Sequence, residues 1–166
     1  VVKRLAQHDI FYLRDPRVEP FEYAMQSFGQ NRPQDKIWQE LFDGDLDVDK
    51  MIEEGKRILS WINTRNYHLV RSMAFEAEID GLKCICSNMP QGRSSFFDTL
   101  ENIDSYDVMI NFYMNKKRRW NLSFYSSKPD VDVSKIAARF GGGGHKGAAG
   151  ASSLAQLPDF IVKAVQ

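Results

Sequence analysis

The residues best suited to chemistry stand together near the C-terminal end. Gly141-Gly142-Gly143-Gly144-His145-Lys146-Gly147-Ala148-Ala149-Gly150 holds six of the chain's eleven glycines. Each glycine costs backbone entropy on folding, so such a run is expected where the chain takes positive φ or its N–H groups approach a ligand closely. A bare backbone carrying one imidazole points to a phosphate cradle. Lys146 adds a point charge beside it.

Other phosphate loops fit this stretch poorly. Gly142, Gly144 and Gly147 satisfy G-x-G-x-x-G, but a dinucleotide fingerprint follows a strand and opens a helix, whereas this run follows a helical segment. Gly142 and Gly147 have the Walker A spacing, yet Ala148 and Ala149 stand where the lysine and the magnesium-binding hydroxyl belong. A helix C-cap needs one left-handed glycine, and four in succession exceed that need.

The hydrophobic pattern sets the frame around the run. Up to residue 66 the period is helical. Pro20 opens a segment to Phe28, and Pro33 stands in the first turn of another with Ile37, Trp38, Leu41 and Phe42 on one side. Val48, Met51, Ile52, Gly55, Ile58, Leu59 and Ile62 follow the three-four spacing of a buried stripe. Beyond it the period falls to two, predicting strands over 69–79, 83–88, 106–115 and 120–126, with Lys116 to Arg119 as a hairpin turn. Helices are predicted over 94–100 and 133–140, and Pro158 begins a last one whose Phe160, Ile161 and Val165 close the sheet. The fold class is α/β: a helical linker over 1–66, then a small mixed β-sheet domain packed with helices over 67–166. Cys84 and Cys86 are expected in one strand as reduced, partly buried thiols on opposite faces.

Composition narrows the function classes. Twenty-two basic residues balance twenty-two acidic ones, so no global field points to nucleic acid or an anionic membrane. No apolar stretch approaches a membrane span and no secretory pattern opens the chain, so a cytoplasmic location is expected by default. The chain begins Val-Val-Lys-Arg, and Leu5, His8 and Ile10 suggest an element already under way, as in part of a longer protein. Asp43, Asp45, Asp47, Asp49 and Glu54 imitate a calcium loop, but Val48 stands where its glycine belongs; the acids instead suit a helix start with Asp47 as N-cap. Lys116-Lys117-Arg118-Arg119 reads as a solvated hairpin tip which, against RNA, would touch phosphates without reading sequence.

Val131-Asp132-Val133-Ser134-Lys135-Ile136-Ala137-Ala138-Arg139-Phe140, followed by the glycine run, resembles the signature of the C-terminal domain associated with the Asp-His-His phosphoesterase superfamily. Upstream, His8-Asp9-Ile10-Phe11, Pro20 to Phe28, Trp38 and the Gly55 helix are similar to the linker after the catalytic domain in those proteins. Members include exonucleases of short oligoribonucleotides that also dephosphorylate adenosine bisphosphate, cyclic-dinucleotide phosphodiesterases, exopolyphosphatases and RecJ-like nucleases. A related domain occurs in alanyl-tRNA synthetases.

The resemblance implies roles for particular residues. In the family the glycine-rich loop and its histidine face the catalytic domain and hold the nucleotide or phosphate portion of the substrate, a role that falls on Gly142, Gly143, Gly144 and His145, with Lys146 as an added charge. A second family element is a strand ending Ser-Leu-Arg-Ser, whose arginine grips phosphate. Here it reads Ser123-Phe124-Tyr125-Ser126, so Ser126 is kept while Tyr125 removes the bidentate grip and offers a ring that could stack on a base. Arg93, at the start of the predicted 94–100 helix, offers a replacement guanidinium, with Ser94 and Ser95 as donors.

The resemblance further implies a metal centre, usually manganese, in a catalytic domain expected before Val1. His8, His68 and His145 lie far apart and lack the acidic neighbours of a two-metal site. The implied function is substrate binding within a metal-dependent phosphoesterase, an exonuclease of short oligoribonucleotides or a nucleotide phosphatase, with no hydrolysis by this chain alone. A nonenzymatic nucleic-acid-binding module like that of the synthetase, or an exopolyphosphatase-related protein, stands as the alternative. Expected partners are short RNA, a nucleotide or another phosphate ester and the N-terminal Asp-His-His catalytic domain, with no membrane.

Overall fold

The computed structural model of the chain describes residues 15–29, 32, 34–90 and 92–164. Leu5, the His8 to Phe11 segment, Pro33 and Val165, all named above, lie outside the described residues. The chain divides into two compact units, Val1–Thr64 and Arg65–Gln166.

In the first unit, α1 (Val18–Ser27) and α2 (Lys36–Asp43) precede α3 (Val48–Met73), which crosses the division. Pro20 sits in the first turn of α1, where a missing N–H breaks no helical bond. Asp47 Oδ1 accepts the Lys50 N–H at 3.0 Å and caps α3. Phe21, Ala24 and Met25 of α1 bury against Ile37 and Leu41 of α2 and Met51 and Ile52 of α3. Gly55 lets α1 and α3 touch through their backbones. A Cβ there would stand 1.7 Å from the Pro20 carbonyl oxygen.

Alternation predicted a strand from Leu69, but α3 continues to Met73. Asn66 and Val70, four residues apart and both buried, extend the helical stripe, and Val70 packs on Phe96, Phe97 and Tyr106. Tertiary burial overrides the β-branched bias of that segment.

The second unit is built on a six-stranded mixed sheet in the order β1-β2-β3-β4-β6-β5. Its strands are β1 (Ala74–Ile79), β2 (Leu82–Ser87), β3 (Val108–Met114), β4 (Trp120–Tyr125), β5 (Gly143–His145) and β6 (Ala148–Leu154). Only β2 and β3 run parallel. Asp80 and Gly81, both with positive φ (54° and 77°), make the two-residue turn from β1 to β2.

One face of the sheet is apolar. Cys84, Cys86, Val108, Ile110, Phe112, Leu122, Phe124 and Ala151 pack with Val133, Ile136 and Ala137 of α4 (Val133–Ala138) and Ile161 of α5 (Asp159–Ala164). Phe140 stacks on Phe124 with centroids 6.1 Å apart. Burying a side chain the size of Phe124 is worth roughly 1.5 to 3 kcal/mol. The cysteines share this face rather than opposing each other, because residues two apart in a strand point the same way. Burial pushes the Cys84 thiol up to about 12 and raises Cys86 as well, so both stay protonated and inert.

Candidate phosphate-ester site

The glycine run is not an open loop. Gly143–His145 forms β5, an edge strand pairing antiparallel with Ala148–Gly150 of β6 through the two-residue turn Lys146–Gly147. That turn is held from two sides: the Ser126 N–H donates to the Gly147 carbonyl and the Val133 N–H to the Lys146 carbonyl, each at 3.0 Å. β4, α4 and the turn therefore fix where His145 stands.

The glycines divide by physical cause. Gly141, at φ 74°, is the left-handed residue that ends α4, and the Gly142 N–H reaches back to the Ala137 carbonyl at 3.0 Å, closing a Schellman motif. Gly142 also packs against β6, where a Cβ would sit 2.1 Å from the Gly150 carbonyl oxygen. Its N–H is committed inside the chain, so its place in the motif is accounted for by packing. Gly144 has φ 146°, and a Cβ there would be 2.6 Å from the Ala149 Cα. Gly143 is different. It has no positive φ, and nothing lies within 4 Å of where its Cβ would stand. Among the described residues no contact requires glycine at 143.

Strand register shows what shares its face. Ser87, Asn111, Ser123, Gly150 and Gly143 are successive partners across β2, β3, β4, β6 and β5. The next row on the same face runs Ile85, Met109, Tyr125, Ala148 and His145. This is the face opposite the apolar core. At its β2–β3 end, Ile85 and Met109 lie beneath Val70, Phe96 and Phe97; towards β5 the face holds half-buried Ser123 and Tyr125 and exposed Gly143 and His145. Two inter-strand spacings of about 4.8 Å put His145 roughly 10 Å from Tyr125.

A loop joins the site from the β2–β3 connection. The Tyr125 hydroxyl donates to the Gly92 carbonyl at 3.3 Å, and Asn111 Nδ2 donates to the Arg93 carbonyl at 3.3 Å. Gly92 lies flat on Asn111, since a Cβ would stand 2.5 Å from Asn111 Nδ2. Arg93 is thereby anchored through its backbone while its side chain is exposed and has no ion pair among the described residues. The predicted helix after it is only a three-residue 3-10 turn, Ser94–Phe96. Phe96 and Phe97 are both buried, and with no α-helix following Arg93 the helix-dipole argument for Ser94 and Ser95 lapses.

Ser126 is occupied. Its hydroxyl donates to the Asp107 carbonyl at 2.7 Å and accepts the Lys128 N–H at 3.1 Å. Asp107 in turn receives Lys128 Nζ and the Lys83 N–H, both at 2.7 Å, and these hydrogen bonds, Lys128 foremost, hold its carboxyl below the ordinary range. Ser126 thus ties the exit of β4 to the entry of β3.

Asn111 and Ser87 were not singled out by sequence reasoning. Both are buried, and Asn111 Oδ1 and Ser87 Oγ find no partner among the described residues. Polar residues at these positions of otherwise apolar strands were the available signal. His68, Tyr67 and Arg71 lie together on α3, away from the glycine strand in sequence and with their own ring contacts. Among the described residues no group of three or more His, Cys, Asp or Glu side chains is placed to hold a metal ion, and no helix is long and apolar enough to cross a membrane.

This sheet, with a helix feeding a glycine–histidine edge strand, defines a domain class. Residues 87–166 match the DHHA1 domain, a DHH-associated domain. The fold is similar to that of a pGpG-specific phosphodiesterase, PggH, from Vibrio cholerae, with TM-score 0.59 and 11% identity over 90% of this chain and 55% of that one. An exopolyphosphatase-related protein from Bacteroides fragilis matches with TM-score 0.47 and 18% identity over 85% of this chain and 44% of that one. An uncharacterized protein from Helicobacter pylori G27 matches with TM-score 0.42 and 17% identity over 90% of this chain and 42% of that one. The chain thus spans about half the length of these proteins. No curated protein sequence matches it.

Proposed function

We propose that this chain is the substrate-holding part of a cytoplasmic, metal-dependent phosphoesterase that acts on nucleotides or short oligoribonucleotides. The observation that carries this reading is the open space over Gly143 beside the exposed His145, whose imidazole has no hydrogen-bond partner among the described residues, two residues on and on the same face of an edge strand. A phosphate oxygen can approach the β5 backbone there, where any side chain would intrude, and the imidazole can donate to it. Lys146 and Arg93 add positive charge from the adjoining turn and loop, and Tyr125 presents a ring for a base.

The contribution to rate is orientation: the ester is held still against a catalytic partner. The activated water and the metal, manganese by the resemblance above, are assigned to an N-terminal DHH catalytic domain of the kind that accompanies this domain in homologues. Calorimetric titration with adenosine bisphosphate, a dinucleotide, a cyclic dinucleotide and polyphosphate tests the reading. His145→Ala should weaken the nucleotide ligands about tenfold, the worth of roughly one charge-assisted hydrogen bond. Unchanged binding would remove His145 from the site.

A further inference from the structure

The β3–β4 hairpin tip places Lys116, Lys117, Arg118 and Arg119 in succession, all exposed, in a chain whose charges otherwise balance. Elsewhere in the described structure many cations are neutralised, such as Lys83 on Glu76 and Lys128 on Asp107. None of these four makes an ion pair among the described residues. The turn is also held in shape. Asn115 Oδ1 accepts the N–H groups of Lys117 at 2.9 Å and Arg119 at 3.2 Å, and the Asn115 carbonyl accepts that of Arg118 at 2.9 Å. Arg118 takes φ 56°, a conformation an arginine adopts only where its surroundings impose it.

This fixed cluster and the glycine–histidine strand belong to the same sheet. β4 starts at Trp120, beside the cations, and ends at Tyr125, so its two ends are about 17 Å apart at roughly 3.4 Å per residue, and His145, roughly 10 Å across the strands from Tyr125, lies about 20 Å from the Trp120 end. The face between them is polar and half exposed: Tyr113 and Asn121, joined by an Asn121 Nδ2 to Tyr113 oxygen bond of 2.8 Å, then Ser123 and Tyr125. A mononucleotide or dinucleotide held at Gly143 and His145 cannot reach the hairpin. A single strand of about four or more nucleotides can, laying its bases along the tyrosines and its far phosphates on the cations.

We infer that Lys116–Arg119 is a second phosphate-binding point for single-stranded nucleic acid, which makes affinity rise with strand length. This rests on the nucleotide-binding reading of the glycine–histidine strand. Contacts of this kind recognise backbone charge and no base sequence.

Fluorescence anisotropy with the full 166-residue chain and labelled RNA of two and six nucleotides separates the two ideas. The hexamer should bind at least about tenfold tighter than the dinucleotide at low salt. The triple variant Lys116→Gln, Lys117→Gln, Arg119→Gln, which spares the left-handed Arg118, should bring the hexamer close to the dinucleotide while leaving dinucleotide affinity unchanged. Its salt dependence for the hexamer should flatten by about 2 in log–log slope, three charges at roughly 0.7 each. His145→Ala should weaken both lengths alike; if it moves neither while the hairpin variant still lowers the hexamer, the site reading fails and the hairpin stands. Equal affinity for both lengths, a hexamer unaffected by the triple variant, or equal losses at both lengths would overturn the inference. So would capture of the wild type but not the variant by phosphatidylserine vesicles without any RNA length effect.

Discussion

Tyr125 donates its hydroxyl to the Gly92 carbonyl at 3.3 Å and so holds the loop that presents Arg93. Tyr125→Phe removes the donor but keeps the ring. It should leave the fold intact and weaken nucleotide binding about two- to fivefold, the scale of one net neutral hydrogen bond. Tyr125→Arg should shift binding towards phosphate-rich ligands. Calorimetry on the two variants, with circular dichroism as the control for folding, checks both.

Gly142 and Gly143 should separate folding from binding. At Gly142 a Cβ would meet the Gly150 carbonyl oxygen at 2.1 Å, so Gly142→Ala must push β6 away or break the end of α4. A loss of roughly 2 to 3 kcal/mol is expected from such overpacking. Gly143→Ala meets nothing within 4 Å and should be neutral or slightly stabilising, yet it should weaken the phosphate ligand. Thermal melts and ligand titrations on the pair give opposite orders if the division is right.

The Asp107 carboxyl carries a pH signature. Its hydrogen bonds from Lys128 and the Lys83 N–H lower its folded-state pKa below the unfolded value. A depressed carboxylate contributes stability that is present above the unfolded pKa, near about 3.9, and lost as pH falls through the folded value. Asp107→Asn should therefore be less stable than wild type by about 1 kcal/mol at pH 7, with the gap closing below about pH 4. Urea unfolding at several pH values measures the gap.

In the first unit the sensitive point is Gly55. Its Cβ would stand 1.7 Å from the Pro20 carbonyl oxygen, closer than any side-chain rotation can relieve. Gly55→Ala should loosen α1 from α3 despite the better helix propensity of alanine, which is worth only about 1 kcal/mol. Hydrogen exchange should rise in α1 and leave β2–β4 protected.

Much of this arrangement was legible in the residues. The stripe from Val48, the Asp47 cap, the alternation of β2, β3 and β4 and the helix leading into the glycines all follow local periodicity or local hydrogen bonding. The β5–β6 hairpin was not legible, because Gly, Ala and Ser have little strand propensity and only pairing with β4 makes them a sheet. The last turns of α3 were misread for the converse reason: Leu69 and Val70 look strand-like and are helical because they bury against Phe96 and Tyr106. Within the candidate site, the run singled out His145 and Gly143 as candidates, but only three-dimensional packing explains Gly142 and Gly144 and reveals Asn111 under the Arg93 loop.

The central claim is that the β5 edge of this domain holds a phosphate ester. The most direct measurement is an amide-resolved NMR titration of the chain with adenosine bisphosphate. The N–H signals of Gly143, Gly144 and His145 should shift saturably with one affinity, and in His145→Ala the remaining Gly143 and Gly144 shifts should need about tenfold more ligand to saturate, while Phe21 and Ile52 of the first unit stay still. Binding that moves the Lys116–Arg119 amides and leaves Gly143 to His145 unmoved would contradict it.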